Sequence, residues 1–211
     1  LQGGETLTMT GSGTAASANV ANGIAMSNNG NLALADGTGA ASNYSLNSTV
    51  INIAKRVLTS SGSKTYDANT NALAADITLG NLVSGEALNH SGTATISSAN
   101  AGSYTISNLS GISIADGSGG AASNYTLTGG THNFTVNQRP LNATLARQYD
   151  GTKTAAGSDL SAFDALQGGE TLTLSGSGTV GDENVANGQG VTLGTLALVD
   201  GTGLASNYSL N

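Results

Sequence analysis

Cysteine is absent from this chain, and its 211 residues include a single proline, Pro140. Without cysteine there are no disulfides and no thiolate metal sites. Aromatic residues are scarce at 4%, which leaves little from which to assemble a clustered aromatic surface of the kind that binds sugars. Charged residues make up only 9%, and the net charge is −7. With no basic patch to neutralise phosphates, nucleic acid is not an expected partner. Helical patterning is missing as well. Gly, Ser, Thr and Asn dominate, and no long stretch carries apolar residues at i, i+3, i+4 and i+7 between caps. No apolar run has the length of a membrane span or the layout of a signal peptide, so membrane insertion of this segment is not expected.

Low charge and few aromatics would fit a disordered tract. Here, though, Val, Ile, Leu and Thr fall in short alternating runs, which favours strands. Examples are Thr6-Leu-Thr-Met-Thr10, Asn31-Leu-Ala-Leu-Ala35, Thr93-Ala-Thr-Ile96, Tyr104-Thr-Ile106 and Ile112-Ser-Ile114. Glycine-bearing turn signals separate them, among them Gly11-Ser-Gly13, Asn22-Gly23, Asn29-Gly30 and Asp36-Gly-Thr-Gly39. Gly129-Gly130 is read as the turn of a hairpin between Tyr125-Thr-Leu127 and Asn133-Phe-Thr-Val136. The least strand-like segment, Asn69 to Asp76, is expected to hold a single helical turn.

The strongest signal is a long period. Ala41-Ser-Asn-Tyr-Ser-Leu-Asn47 recurs as Ala122-Ser-Asn-Tyr-Thr-Leu-Thr128 and as Ala205-Ser-Asn-Tyr-Ser-Leu-Asn211, and its tyrosines are 81 and 83 residues apart. Leu1-Gln-Gly-Gly-Glu-Thr-Leu7 returns unchanged at 166–172, with Leu82-Val-Ser-Gly-Glu-Ala-Leu88 between them. Thr65-Tyr-Asp-Ala68 is matched by Gln148-Tyr-Asp-Gly151, and Arg56-Val57-Leu58 by Arg139-Pro140-Leu141. A period of this length means a tandem array. It divides the chain into the C-terminal part of one repeat (1–54), a complete repeat (55–138) and most of a third (139–211). The chain begins within a repeat and is therefore expected to be part of a longer protein. The first and third units are more alike than either is to the second, so an alternation of two repeat types with a superperiod of 165 residues is expected. No Gly/Ser tether separates the units. The fold expected is all-β: small antiparallel sandwich-like modules of about 82 residues placed end to end. The alternative is a β-solenoid, whose coil period would be ~20 residues, and no period of that length is as strong as the long one.

The order of motifs carries a resemblance. Arg-(Val/Pro)-Leu is followed by Tyr-Asp-(Ala/Gly), Leu-x-x-Gly-Glu, an Asn-Ala-Gly or Val-Ala-Asn-Gly segment, and Ser-Asn-Tyr-x-Leu. This order resembles the YDG repeats, and the related glycine-rich mostly-β (MBG) repeats, of large bacterial filamentous-haemagglutinin-like surface adhesins. The resemblance covers essentially the whole chain. It implies a secreted, cell-surface protein in which these repeats serve as stalk or spacer in adhesion, biofilm matrix or an extracellular filament. Ala68 departs from the glycine of the motif, which implies that the backbone there does not require glycine.

Each candidate site has a structural reading beside a functional one. Tyr66/Asp67 and Tyr149/Asp150 would contact a sugar, or else place a tyrosine in the core with its hydroxyl bonded and an aspartate capping a turn. The structural reading is preferred, since the pair occurs once per repeat. Asp36, Asp116 and Asp200 each open an Asp-Gly-(Thr/Ser)-Gly turn that leaves calcium open, but one carboxylate per turn is far from the six to eight oxygens calcium takes. Asp182-Glu183 adds a carboxylate pair in one repeat only. His90 and His132 lack ligand-spaced companions and are expected at the surface. Gly176-Ser-Gly178 has no Lys-Ser/Thr partner of a phosphate loop. No serine sits in a nucleophile elbow. No catalytic, cofactor-binding or metal-ligating residue is therefore expected, and the chain is not expected to be an enzyme. Expected partners are neighbouring repeats, exopolysaccharide, or other copies through edge strands such as Val50–Ile53. Tyr44, Tyr125 and Tyr208 are expected to be mostly buried.

Overall fold

A computed structural model describes all 211 residues. The chain is all-β, with short 3-10 turns as its only helical elements, at Ala41–Asn43, Ala74–Asp76, Ala122–Asn124, Gly157–Asp159 and Ala205–Asn207. Ala74–Asp76 is the helical turn expected between 69 and 76. The chain forms two compact units that interleave the sequence repeats. The first comprises Leu1–Leu58, Asn81–Asn89 and Ala115–Gly129, and the second comprises Thr59–Gly80, His90–Ile114 and Gly130–Asn211.

In the first unit, Leu7–Thr10 pairs antiparallel with Ala33–Asp36, Leu7 facing Asp36 and Thr10 facing Ala33. Ala21–Asn28 lies between Thr14–Ala15 and Val50–Ile53. Asn22-Gly23 is not a turn between strands. It falls inside Ala21–Asn28, where Gly23 has a φ of +68° and the register shifts between Ala21 and Ile24. The positive φ that marks a turn in sequence serves here to bulge a strand. The first unit's core is small, with Ile24, Leu58, Leu88 and Tyr125 buried.

The second unit carries the larger core, including Tyr66, Ile77, Ile96, Phe134, Val136, Leu141, Leu172 and Tyr208. Its main sheet runs Ile77–Gly80, Thr59–Thr65, His132–Asn137, Gly102–Asn108, Leu88–Ile96 and Ile112–Asp116, with Asn71–Leu73 also pairing with Leu88–Ile96. The hairpin read across Gly129-Gly130 does not form. His132–Asn137 pairs parallel to Thr59–Thr65, from His132 opposite Ser60 to Asn137 opposite Thr65. Tyr125–Thr126 pairs parallel to Arg56–Val57. Each strand thus meets the opening of its own repeat rather than its sequence neighbour. The same closure recurs in the third repeat, where Arg139–Leu141 pairs parallel to Tyr208–Leu210. Most of the other ladders are antiparallel.

Period-2 burial explains the strands. In His132–Asn137 the side chains of His132, Phe134 and Val136 are buried and Asn133 and Asn137 are exposed. His132 is therefore not a surface residue. It alternates with Phe134 on the core face, and its Nδ1 lies 2.9 Å from the buried Ser60 Oγ. His90 is half-buried, with Nε2 at 3.0 Å from the Ala74 carbonyl and 2.9 Å from that of Ile77. Both histidines are held by neighbours that sequence spacing does not reveal.

Candidate functional site

The two most repetitive motifs meet in space. In each repeat the hydroxyl of the Ser-Asn-Tyr tyrosine donates to the glutamate of Leu-x-x-Gly-Glu. The pairs are Tyr44 with Glu5, Tyr125 with Glu86, and Tyr208 with Glu170. The same hydroxyl oxygen accepts a backbone N–H from the loop before the glutamate, from Gln2 at 3.0 Å, Val83 at 3.2 Å and Gln167 at 3.0 Å. Tyr125 and Tyr208 are each 2% exposed, whereas Tyr44 is only half-buried. The phenol pKa values of Tyr125 and Tyr208 are raised. For Tyr125 the main cause is its bond to the Glu86 carboxylate, and for Tyr208 it is burial, followed by the bond to Glu170.

The Asp-Gly-(Thr/Ser)-Gly turn supports this lock. Asp36, Asp116 and Asp200 each accept the backbone N–H that opens the following 3-10 turn, from Ala41, Ala122 and Ala205, all at 2.7 Å. The glycine after each aspartate lies against the backbone beside the Glu loop. A Cβ on Gly37 would come within 2.2 Å of the Thr6 carbonyl oxygen, and one on Gly201 within 2.3 Å of that of Thr171. Each carboxylate is thus engaged in a cap. No three His, Asp or Glu side chains gather in one place.

The asparagine of Ser-Asn-Tyr faces the preceding repeat. Asn124 Oδ1 accepts the Val20 N–H at 2.9 Å and its Nδ2 donates to Asn19 Oδ1 at 2.9 Å. One repeat on, Asn207 Oδ1 accepts the Ala101 N–H at 2.8 Å and its Nδ2 donates to Asn100 Oδ1 at 3.1 Å. The receiving loops are alike in build. Asn19 N–H is held by Ser17 Oγ at 3.1 Å, and Asn100 N–H by Ser98 Oγ at 3.2 Å.

The Tyr-Asp turn completes the contact. Asp67 accepts the Asn69 N–H at 3.2 Å and pairs with Lys64 at 2.7 Å, while Asp150 accepts the Thr152 N–H at 2.9 Å and pairs with Arg147. The Arg147 bond, ahead of the Thr152 N–H, holds the Asp150 carboxyl below its ordinary pKa. The expected turn-capping role of both aspartates stands. The tyrosines differ. Tyr66 is 3% exposed, and its hydroxyl donates not within its own repeat but to Glu170 Oε1 at 2.6 Å. Its ring meets Tyr208 edge to face, with centroids 5.3 Å apart and planes at 77°. Burial, then the bond to Glu170, pushes the Tyr66 pKa up to about 12 from an ordinary 10.0. Tyr149, expected in the core, is instead 64% exposed. The turn presents its tyrosine outward, so the ring is covered only where another repeat lies over it. Ala68 has a φ of +62° and Gly151 one of +73°, so the position does take the left-handed backbone that favours glycine.

Glu170 accepts two phenols, one from its own repeat and one from the repeat before. Neither Glu170 nor Asn207 stood out in the sequence as a contact residue. The signal that would have found the intra-repeat half is the near-constant Glu-to-Tyr separation of 39, 39 and 38 residues.

These features define a class: an all-β tandem-repeat protein in which each repeat closes with a tyrosine–glutamate lock, and in which the second and third repeats each grip the repeat before them. The chain belongs to the YDG domain family, whose model matches residues 53–132 and again 135–211. This bears out the YDG resemblance carried by the motif order. Comparison with curated proteins and with solved structures gives no match.

Proposed function

We propose that this chain is a structural repeat region, a stalk or spacer, of a secreted bacterial adhesin or extracellular filament at the cell surface or in biofilm matrix. One observation carries the reading. The Tyr66 and Asn100–Ala101 surface of one repeat is covered by Glu170, Asn207 and Tyr208 of the next, with no flexible tether between the repeats. Buried polar contacts of this kind fix direction, because each donor must find its acceptor. A stalk needs that property and needs no catalytic group. Absence of cysteine suits a protein exported unfolded. The second reading, glycan binding by the repeats themselves, has less support. Tyr149 is the one strongly exposed aromatic side chain, and a sugar platform uses several.

Small-angle scattering of two against four repeats tests the stalk. The largest dimension is expected to rise linearly with repeat number, and a compact particle would overturn the reading. A glycan array is expected to show no binding by either form.

A further inference from the structure

The middle repeat is entered and left through two strands that lie side by side. Its first long strand, Thr59–Thr65, and its last, His132–Asn137, run parallel, with six residue pairs in register from Ser60 opposite His132 to Thr65 opposite Asn137. Backbone bonds fasten both ends of this ladder. The Ser60 N–H donates to the Thr131 carbonyl at 3.0 Å, and the Tyr66 N–H to that of Asn137 at 2.9 Å. The chain arrives through Arg56–Val57, just before Thr59, and leaves through Arg139–Leu141, just after Asn137. Because the two strands are parallel, arrival and departure are at opposite ends of the ladder. Tension along the chain therefore drives Thr59–Thr65 and His132–Asn137 past each other lengthwise and does not peel them apart.

The pair is keyed against sliding. His132, Phe134 and Val136 are buried while Asn133 and Asn137 are exposed, so a slip of one residue would carry the core set to the solvent face. A slip of two residues keeps the faces but meets side chains. Phe134 stands opposite Gly62, and its ring lies so close that a Cβ on Gly62 would come within 2.8 Å of the ring's Cε2. Two residues to either side the ring would meet Ser60 or Lys64, and both carry a Cβ. His132 stands opposite Ser60, with Nδ1 at 2.9 Å from Oγ and both residues buried. Neither strand is an edge: Thr59–Thr65 also pairs with Ile77–Gly80, and His132–Asn137 with Gly102–Asn108, so water does not reach the ladder from the side.

We propose that the parallel pair of Thr59–Thr65 with His132–Asn137 is a tension-bearing clamp, which holds the middle repeat folded against force along the chain. Lengthwise force must break the ladder bonds, unseat the Phe134 ring from Gly62 and part Ser60 from His132 in one event. Force applied at one end of the pair opens the same ladder bond by bond. Arg56–Val57 with Tyr125–Thr126 is parallel in the same sense and adds to the closure of the repeat. A use for this resistance rests on the stalk reading, whereas the clamp itself rests on strand pairing alone. A chain whose length grows with repeat number would still do so if the pair were weak in every direction, so the scattering test and the force test fail separately.

The test is the direction of pull. The chain has no cysteine, so a pair of introduced thiols takes the two handles of an optical-trap measurement on the full chain. Lys55→Cys with Asn137→Cys loads the pair along its length. Ala68→Cys with Asn137→Cys loads it from one end. All three positions are exposed, so both variants are expected to keep the fold, with urea unfolding midpoints close to wild type as the check. Forced unfolding reads the barrier and not the equilibrium stability, so equal midpoints leave direction as the one difference between them. At matched loading rate the lengthwise pull is expected to need several-fold more force, and to unfold the repeat in one step. Equal forces in the two directions, or lengthwise unfolding in small successive steps, would overturn the clamp.

Discussion

Tyr66 and Tyr149 occupy the same place in successive repeats and meet opposite fates. Both close a Tyr-Asp turn, both are preceded by a cation three residues from the aspartate, and both follow a strand near the start of their repeat. Yet Tyr66 is buried with a carboxylate partner from another repeat, and Tyr149 is exposed with none. The difference is not local, since the turns are built alike. It lies in whether the Glu-and-Tyr face of a further repeat covers the ring. Asn207 and Asn43 tell the same story from the other side. One is sealed in the contact and the other lies open. In this chain the tyrosine of the Tyr-Asp turn is thus buried where the Glu-and-Tyr face of the next repeat lies over it, as at Tyr66, and exposed where none does, as at Tyr149.

Substitutions in matched positions sharpen this contrast. The largest effect is expected at Glu170. Glu170→Ala strands the buried hydroxyls of Tyr66 and Tyr208 and is expected to cost about 2–3 kcal/mol in urea unfolding, while Glu5→Ala, beside the half-buried Tyr44, costs under about 1 kcal/mol because water replaces it. Equal losses would break the comparison. Asn207→Ala removes an acceptor and a donor in a sealed contact and is expected to cost about 2 kcal/mol. Asn43→Ala is expected to stay within about 0.5 kcal/mol. Amide exchange at Ala101 gives an independent reading, since its N–H loses its only partner in Asn207→Ala.

Tyr66→Phe removes one bond to a carboxylate, worth about 1.5 kcal/mol, and Tyr149→Phe is expected to change stability negligibly. Alkaline titration reads the same site. The Tyr66 pKa is raised, so the fold favours the neutral phenol. Its stabilising contribution is whole below pH 10 and is lost as pH climbs from 10 toward about 12. Tyr66→Phe is expected to flatten the fall in unfolding temperature over that window, and an unchanged slope would count against the Tyr66–Glu170 bond. The smallest effect is expected at the turn itself. Ala68→Gly relieves a left-handed alanine but loosens the unfolded chain, for a net gain of about 0.5–1 kcal/mol, whereas Gly151→Ala is expected to lose a similar amount.

Much of the fold was legible in sequence because a strand's alternation is written along the chain. Leu7–Thr10 and Ile112–Asp116 lie where the alternation puts them, the run Thr93–Ile96 is the end of a strand that begins at Leu88, and the long period placed the family. Pairing was less legible. Tyr125–Thr126 and His132–Asn137 flank a Gly-Gly step, and a hairpin is the local solution. Each instead runs parallel to a strand at the start of its repeat, a partner about 70 residues away that no local turn rule identifies. The same limit hid the burial of His132, set by Ser60 across the sheet, and the contact role of Asn207. Glu170 illustrates it best. Its sequence context is identical to that of Glu5, and only the presence of Tyr66 above it makes the two different.

A double-mutant cycle between Tyr66→Phe and Glu170→Gln tests the grip between repeats most directly. A bond made across the repeat boundary predicts a coupling of about 1–2 kcal/mol between the two substitutions in unfolding free energy. Additivity within about 0.5 kcal/mol, the behaviour of sites that do not touch, would contradict it.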